Sequence, residues 1–193
     1  MAVSLGELLV VGIPAAILFF LYVRLIQKRN AALGALSSID VQLKQRRDLI
    51  PNILAIAKET MTREIELIER VTELRVSAAA GADAKDPETL KRYLDTEAEI
   101  SSLMQGILAS FENYPQTRFI ETMTQAQQSY EEVEAHISAA RRFYNASAED
   151  LKNAVEIFPS SFIASFLKIR AMPFFEIAEA DRKPVSAEEF FAA

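Results

Sequence analysis

Apolar positions along this chain fall into three patterns, and each predicts a different element. The first is continuous: Leu8 to Val23 is 16 residues without a charge, and Leu25 and Ile26 extend the run to 8–26 once Arg24 snorkels its guanidinium toward headgroups. At 1.5 Å per residue these 19 positions span roughly 28 Å, enough for a hydrocarbon core. The run is apolar all round, which argues against a buried core helix with one apolar stripe. Its basic residues follow it rather than precede it, which argues against a cleaved signal peptide. It reads as a retained transmembrane helix, 8–26, behind a short N-tail, 1–7. Pro14 lies inside it, as membrane helices tolerate.

The second pattern is one-sided. Leu25, Ala32, Leu36, Ile39 and Leu43 mark a helix to about Arg47 that continues from the span. Pro51 lacks an amide hydrogen and crowds the preceding turn, so a kink or short break is expected there, with Asp48 as cap. Leu54, Ala57, Met61, Ile65, Ile68 and Val71 predict a second helix to about Ala80, and 81–86 is the clearest turn. Asp86-Pro87-Glu88 supplies an N-cap, a proline at the first helical position and an early acid. The helix it opens runs through Leu90, Leu94, Ile100, Met104 and Ile107 to Phe111, and ends at Asn113-Tyr114-Pro115.

The third pattern is a heptad. Phe119, Met123, Ala126, Tyr130, Val133, Ile137, Ala140, Tyr144, Ser147, Leu151, Ala154 and Phe158 alternate in steps of four and three, a 3.5-residue repeat over more than five heptads. Such a seam needs partner helices, from the same chain or from another copy. Beyond it, Phe158, Phe162, Phe166, Phe174 and Phe175 place five of the 12 phenylalanines within 18 residues. They either close one end of the bundle or meet a membrane or partner. The polar tail, 176–193, ends on Phe190-Phe191. The fold class expected is all-α: an N-terminal transmembrane helix, then a long antiparallel bundle of about four helices, 27–175, with coiled-coil-like packing.

Composition adds direction. The net charge is −6, yet Arg24, Lys28, Arg29, Lys44, Arg46 and Arg47 face only Asp40 between positions 24 and 47. A basic collar therefore separates the apolar N-terminus from an acidic body, which argues against a nucleic-acid partner and for an anionic membrane surface. With Arg24, Lys28 and Arg29 flanking the C-terminal end of the span, the positive-inside rule puts the N-tail outside and the body in the cytoplasm.

Catalytic candidates are sparse. There is no cysteine, hence no thiolate or disulfide, and His136 is the only histidine, one position off the heptad seam. Acid pairs such as Glu131-Glu132 are adjacent in sequence and diverge on a helix, and no glycine-rich phosphate loop occurs. No enzyme, metal or cofactor is expected. The polar group Asp40, Arg46, Arg47, Asp48 and Asn52 is the best candidate constellation. Read structurally, it fixes the break at Pro51 and sets helix register through ion pairs; read functionally, it is a recognition surface near the membrane.

The stretch from Ser38 through Asp40-Val41-Gln42-Leu43 and Arg46-Arg47-Asp48-Leu49-Ile50-Pro51-Asn52 resembles the signature of the LemA family of bacterial membrane proteins. Glu112-Asn113-Tyr114-Pro115, Ala140-Arg141-Arg142-Phe143-Tyr144-Asn145 and Phe158-Pro159 with its follow-on to Phe174-Phe175-Glu176 agree in order. Arg47 stands where the family often has histidine, and the segment after Tyr114-Pro115 is about one helical turn shorter than usual. The resemblance implies an N-out anchor in the bacterial inner membrane and an antiparallel helical bundle, and it implies no activity. Relatives are associated with membrane zinc proteases, with envelope stress and, in one branch, with magnetosome membrane formation. The function expected is a self-assembling scaffold that organises or shapes the membrane, its partners being lipid and its own copies. The alternative is an adaptor that recruits a membrane protease or an envelope-stress signalling protein.

Overall fold

A computed structural model describes residues 5–61, 64–84, 86–111, 114 and 120–176. Among the described residues there are five helices: α1 Leu5–Thr60, α2 Ile65–Ala79, α3 Pro87–Ser110, α4 Ile120–Glu156 and α5 Ser160–Phe166. The fold is all-α, as the periodicities require.

Of the kink or short break expected at Pro51, the structure excludes the break. The helix neither breaks nor recaps there; α1 continues through it to Thr60, and the break falls at 61–64. An interior proline costs about 3 kcal/mol, but Ile50, Ile53, Leu54 and Ala57 are all buried around it. Their packing exceeds that penalty, since fully burying each large apolar side chain contributes about 1.5–3 kcal/mol. Asp48 caps nothing and pairs with Lys44 one turn back at 2.9 Å. At the true end, the Thr60 hydroxyl donates to the carbonyls of Ile56 and Ala57 and competes with the helix ladder.

The chain divides into two compact units, one of residues up to Ile39 with Ala140–Phe174, the other of Asp40–Ala139 with the chain from Phe175. In the second unit, parts of α1 and α4 pack with α2 and α3 as a four-helix bundle. Arg46 of α1 reaches Glu97 of α3 and Glu134 of α4, and Arg70 of α2 reaches Glu99 of α3. The turn between α2 and α3 uses Gly81 in the left-handed region, φ 69°, to end α2. Asp86 then caps α3 by accepting from the Glu88 amide at 3.2 Å.

In the first unit, α1 has two characters. Val10, Val11, Ile13, Ile17, Leu18, Phe19, Phe20 and Tyr22 are exposed, whereas Leu25, Ala32, Ala35, Leu36 and Ile39 are buried. This is one N-terminal helix apolar enough to cross a membrane, with a mean hydropathy of 2.0 in its richest window. Tyr144, Ala148 and Leu151 of α4 are buried in the same unit, where Lys28 of α1 pairs with Asp150 of α4. α5 follows the turn at Phe158-Pro159 and closes at Lys168, a non-glycine residue at φ 55°. There the Lys168 amide donates to Ser165 and the Ile169 amide to Ala164, the two bonds of a Schellman ending. The chain then returns along α4, where the Tyr144 hydroxyl donates to the Pro173 carbonyl at 2.7 Å.

The α4 seam resolves into two columns. Met123, Tyr130, Ile137, Tyr144 and Leu151, seven residues apart, are all buried. In the alternate column Val133 is buried, while Ala126, Ala140, Ser147 and Ala154 are half-buried. Phe158 does not continue the seam: α4 ends at Glu156, and Phe158 is 81% exposed. Phe119, the first expected seam position, lies outside the described residues, as do Glu112, Asn113, Pro115 and the tail from 177.

Candidate functional site

Residues 39, 43, 46, 50, 53 and 57 of α1 repeat at the same four-three spacing as α4, and all are buried. Five are apolar. The sixth is Arg46, fully buried, in the middle of an aliphatic stripe. On α3 the same spacing runs through Leu90, Leu94, Glu97, Ser101, Met104, Leu108 and Phe111, so that Glu97, also fully buried, and Ser101 fall on its core stripe. One layer of the bundle is therefore polar.

In that layer Arg46 Nη2 donates to Glu97 Oε2 at 2.5 Å and to the Glu97 carbonyl at 2.7 Å, while Nη1 donates to Glu134 Oε1 at 2.8 Å. Arg47 pairs with Glu97 Oε1 and donates to the Tyr93 hydroxyl at 3.1 Å. Tyr93 in turn donates to Asp40 Oδ1 at 2.8 Å. Tyr130 stands beside Arg46, Glu134 and Ser101, but its hydroxyl and the buried Arg46 Nε make no hydrogen bond of normal geometry.

Each carboxylate of the network has a cationic or phenolic donor, which is the condition for burying charge at tolerable cost. Burial by itself disfavours the Arg46 charge, yet Tyr130, Glu97 and Glu134 together raise its pKa above the ordinary guanidinium value. Burial likewise pushes the Tyr93 and Tyr130 hydroxyls well above the usual phenol range. The network pairs every one of its buried charges, through Arg46–Glu97, Arg46–Glu134 and Arg47–Glu97. What it can do is fix register, because shifting any of the three helices by one turn would strand a buried charge.

Of the polar group singled out in the sequence, the structure brings Asp40, Arg46 and Arg47 together. It leaves out Asp48, which pairs locally, and Asn52. Asn52 is exposed and lines a groove of about 210 Å³ with Leu49, Ile53 and Ile56 of α1 and Thr122, Gln125, Ala126 and Ser129 of α4. Sequence reasoning missed Glu97, Tyr93 and Glu134. The signal that finds one of them is a charge on a heptad core position, which Glu97 occupies on α3 as Arg46 does on α1.

The membrane-flanking residues divide in the same way. Arg24 is exposed and lies 5.6 Å over the Phe20 ring, Lys28 pairs with Asp150 of α4, and Arg29 is half-buried. Within the aromatic segment, Phe162 and Phe166 are exposed at 74% and 83%, whereas Phe175 is buried and Phe174 packs under Lys152 at 5.9 Å. These four residues do not form one surface. His136 is exposed, and among the described residues no three His, Asp or Glu side chains converge as a cation site.

Comparison with curated proteins yields no match. The sequence model of the LemA family matches residues 35–188, which takes in the ion-pair network, the α4 seam and the aromatic segment. The chain belongs to the LemA family.

Proposed function

We propose that this chain is a single-pass, membrane-anchored helical scaffold without catalytic activity, which self-assembles at the cytoplasmic face of the bacterial inner membrane and organises or shapes it. The observation that carries the reading is the direction in which its groups face. Its densest polar cluster points inward and has its charges paired by its own helices, whereas large apolar side chains from Val10 to Tyr22 point outward with nothing from the described residues over them. A surface of that length and composition is expected to sit in lipid. Arg24, Lys28 and Arg29 at its C-terminal end favour a cytoplasmic body.

Self-assembly draws its support from α4. Its alternate seam column is half-open and, apart from Val133, carries only Ala and Ser, so a helix from another copy can approach closely. Light scattering of the purified full chain in detergent, with imaging of the particles, tests this. Particles of many protomers are expected from the protein alone. A single protomer per micelle would overturn self-assembly and leave the adaptor for a membrane protease or signalling partner as the better account.

A further inference from the structure

Phe158, Phe162 and Phe166 are spaced four residues apart and are 81%, 74% and 83% exposed, while Ala164 on the opposite face of α5 is fully buried. Ile157 and Leu167, 58% and 37% exposed, extend the same apolar surface. The described residues leave these side chains uncovered, although they cover Phe175 and seat Phe174 against Lys152.

The register of α4 on α1 gives this surface a height. Lys28 pairs with Asp150. An antiparallel arrangement sets Tyr144, Ala148 and Leu151 against the buried stretch from Leu25 to Ile39. A parallel one would set Tyr144 against the exposed Tyr22 and leave Leu36 and Ile39 facing the exposed Phe158, which the burial pattern contradicts. From Asp150, α4 therefore runs toward the apolar part of α1. Six further residues at 1.5 Å each advance it about 9 Å, level with Tyr22, where the exposed apolar run meets the basic collar. α5 begins four residues later.

We infer that α5 is a second membrane contact, whose phenylalanine stripe inserts into the headgroup region of the leaflet from which α1 emerges. This rests on the reading of α1 as a membrane span and adds to it. Apolar rings on one side of a short helix, with cations beside them, suit an interfacial element. Arg24, Arg29, Lys152, Lys168 and Arg170 belong to this end of the unit, against Glu149 and Glu156, because Asp150 is paired with Lys28. That balance matches an anionic leaflet. A wedge of aromatic side chains in one leaflet, held at fixed distance from a transmembrane helix, is also a means by which a scaffold can bias membrane shape.

The chain contains no tryptophan, so single substitutions act as fluorescent depth reporters in the full protein. Phe162→Trp reports on α5, Phe20→Trp on the span, and Phe143→Trp, at a position 63% exposed farther along α4 from the span, on the body. Each is reconstituted in phosphatidylcholine–phosphatidylglycerol vesicles, and quenching by lipid brominated near the headgroup is compared with quenching by aqueous iodide. The Phe162→Trp reporter is expected to be quenched by the brominated lipid and shielded from iodide, and the Phe143→Trp reporter to behave in the opposite way. Iodide quenching of the Phe162→Trp reporter equal to that of the Phe143→Trp reporter overturns the inference. Shielding from both quenchers also overturns it and assigns the stripe to a contact with a second copy. If the Phe20→Trp reporter escapes the brominated lipid, the span reading fails, and the inference falls with it.

Discussion

Glu97→Ala is expected to lower the stability of the helical body by about 3–5 kcal/mol, the usual consequence of removing one partner of a buried ion pair. Glu97 is fully buried and accepts from both Arg46 and Arg47. Without it Arg46 retains Glu134 and a backbone carbonyl, but its guanidinium stays in a space from which water is excluded, and Arg47 loses its ion-pair partner. Urea titration of the full chain in detergent, followed by the helical circular-dichroism signal, reads the change. The double variant Arg46→Met with Glu97→Leu separates the two meanings of such a loss. It removes the opposed charges together, and Glu134, 19% exposed, can turn to water. Most of the lost stability should return. A Glu97→Ala shift below about 1 kcal/mol would show that the layer is hydrated and that the network has no structural role.

The second large effect belongs to the α4 seam. Ile137 is fully buried, so Ile137→Glu places an unpaired carboxylate in an apolar layer. A loss on the order of 4 kcal/mol is expected, at the upper end of single-substitution effects. Ser138→Glu is the control: its side chain is exposed one position away, and surface substitutions of this kind stay within about 0.5 kcal/mol. Equal melting behaviour of the two variants would show that the seam is open.

Most of the fold was legible in the sequence because it is written in periods. An uninterrupted apolar run, a capping sequence at Asp86-Pro87-Glu88 and a heptad that persists through α4 each imply an element without reference to the rest of the chain. The break expected at Pro51 is absent; the expectation weighed a local penalty without the packing around it, which depends on helices distant in sequence. The site was legible only in part, for a related reason. The period shows that position 46 faces the core, but the arginine becomes intelligible only when Glu97, 51 residues away, and Glu134, 88 away, are known to share its layer. In the aromatic segment, composition grouped Phe162, Phe166, Phe174 and Phe175. The turn at Lys168 separates them, sending the first two outward and the last two back along the body.

The claim on which the account depends most is that α1 crosses the membrane and holds the body in the cytoplasm. A reporter that is active only outside the inner membrane, fused after Ala193 and compared with one that fluoresces only inside, measures this in the intact cell. The account predicts signal from the inside reporter alone, and a mixed signal once Arg24, Lys28 and Arg29 are replaced by neutral residues. Outside activity in the unaltered protein would contradict it.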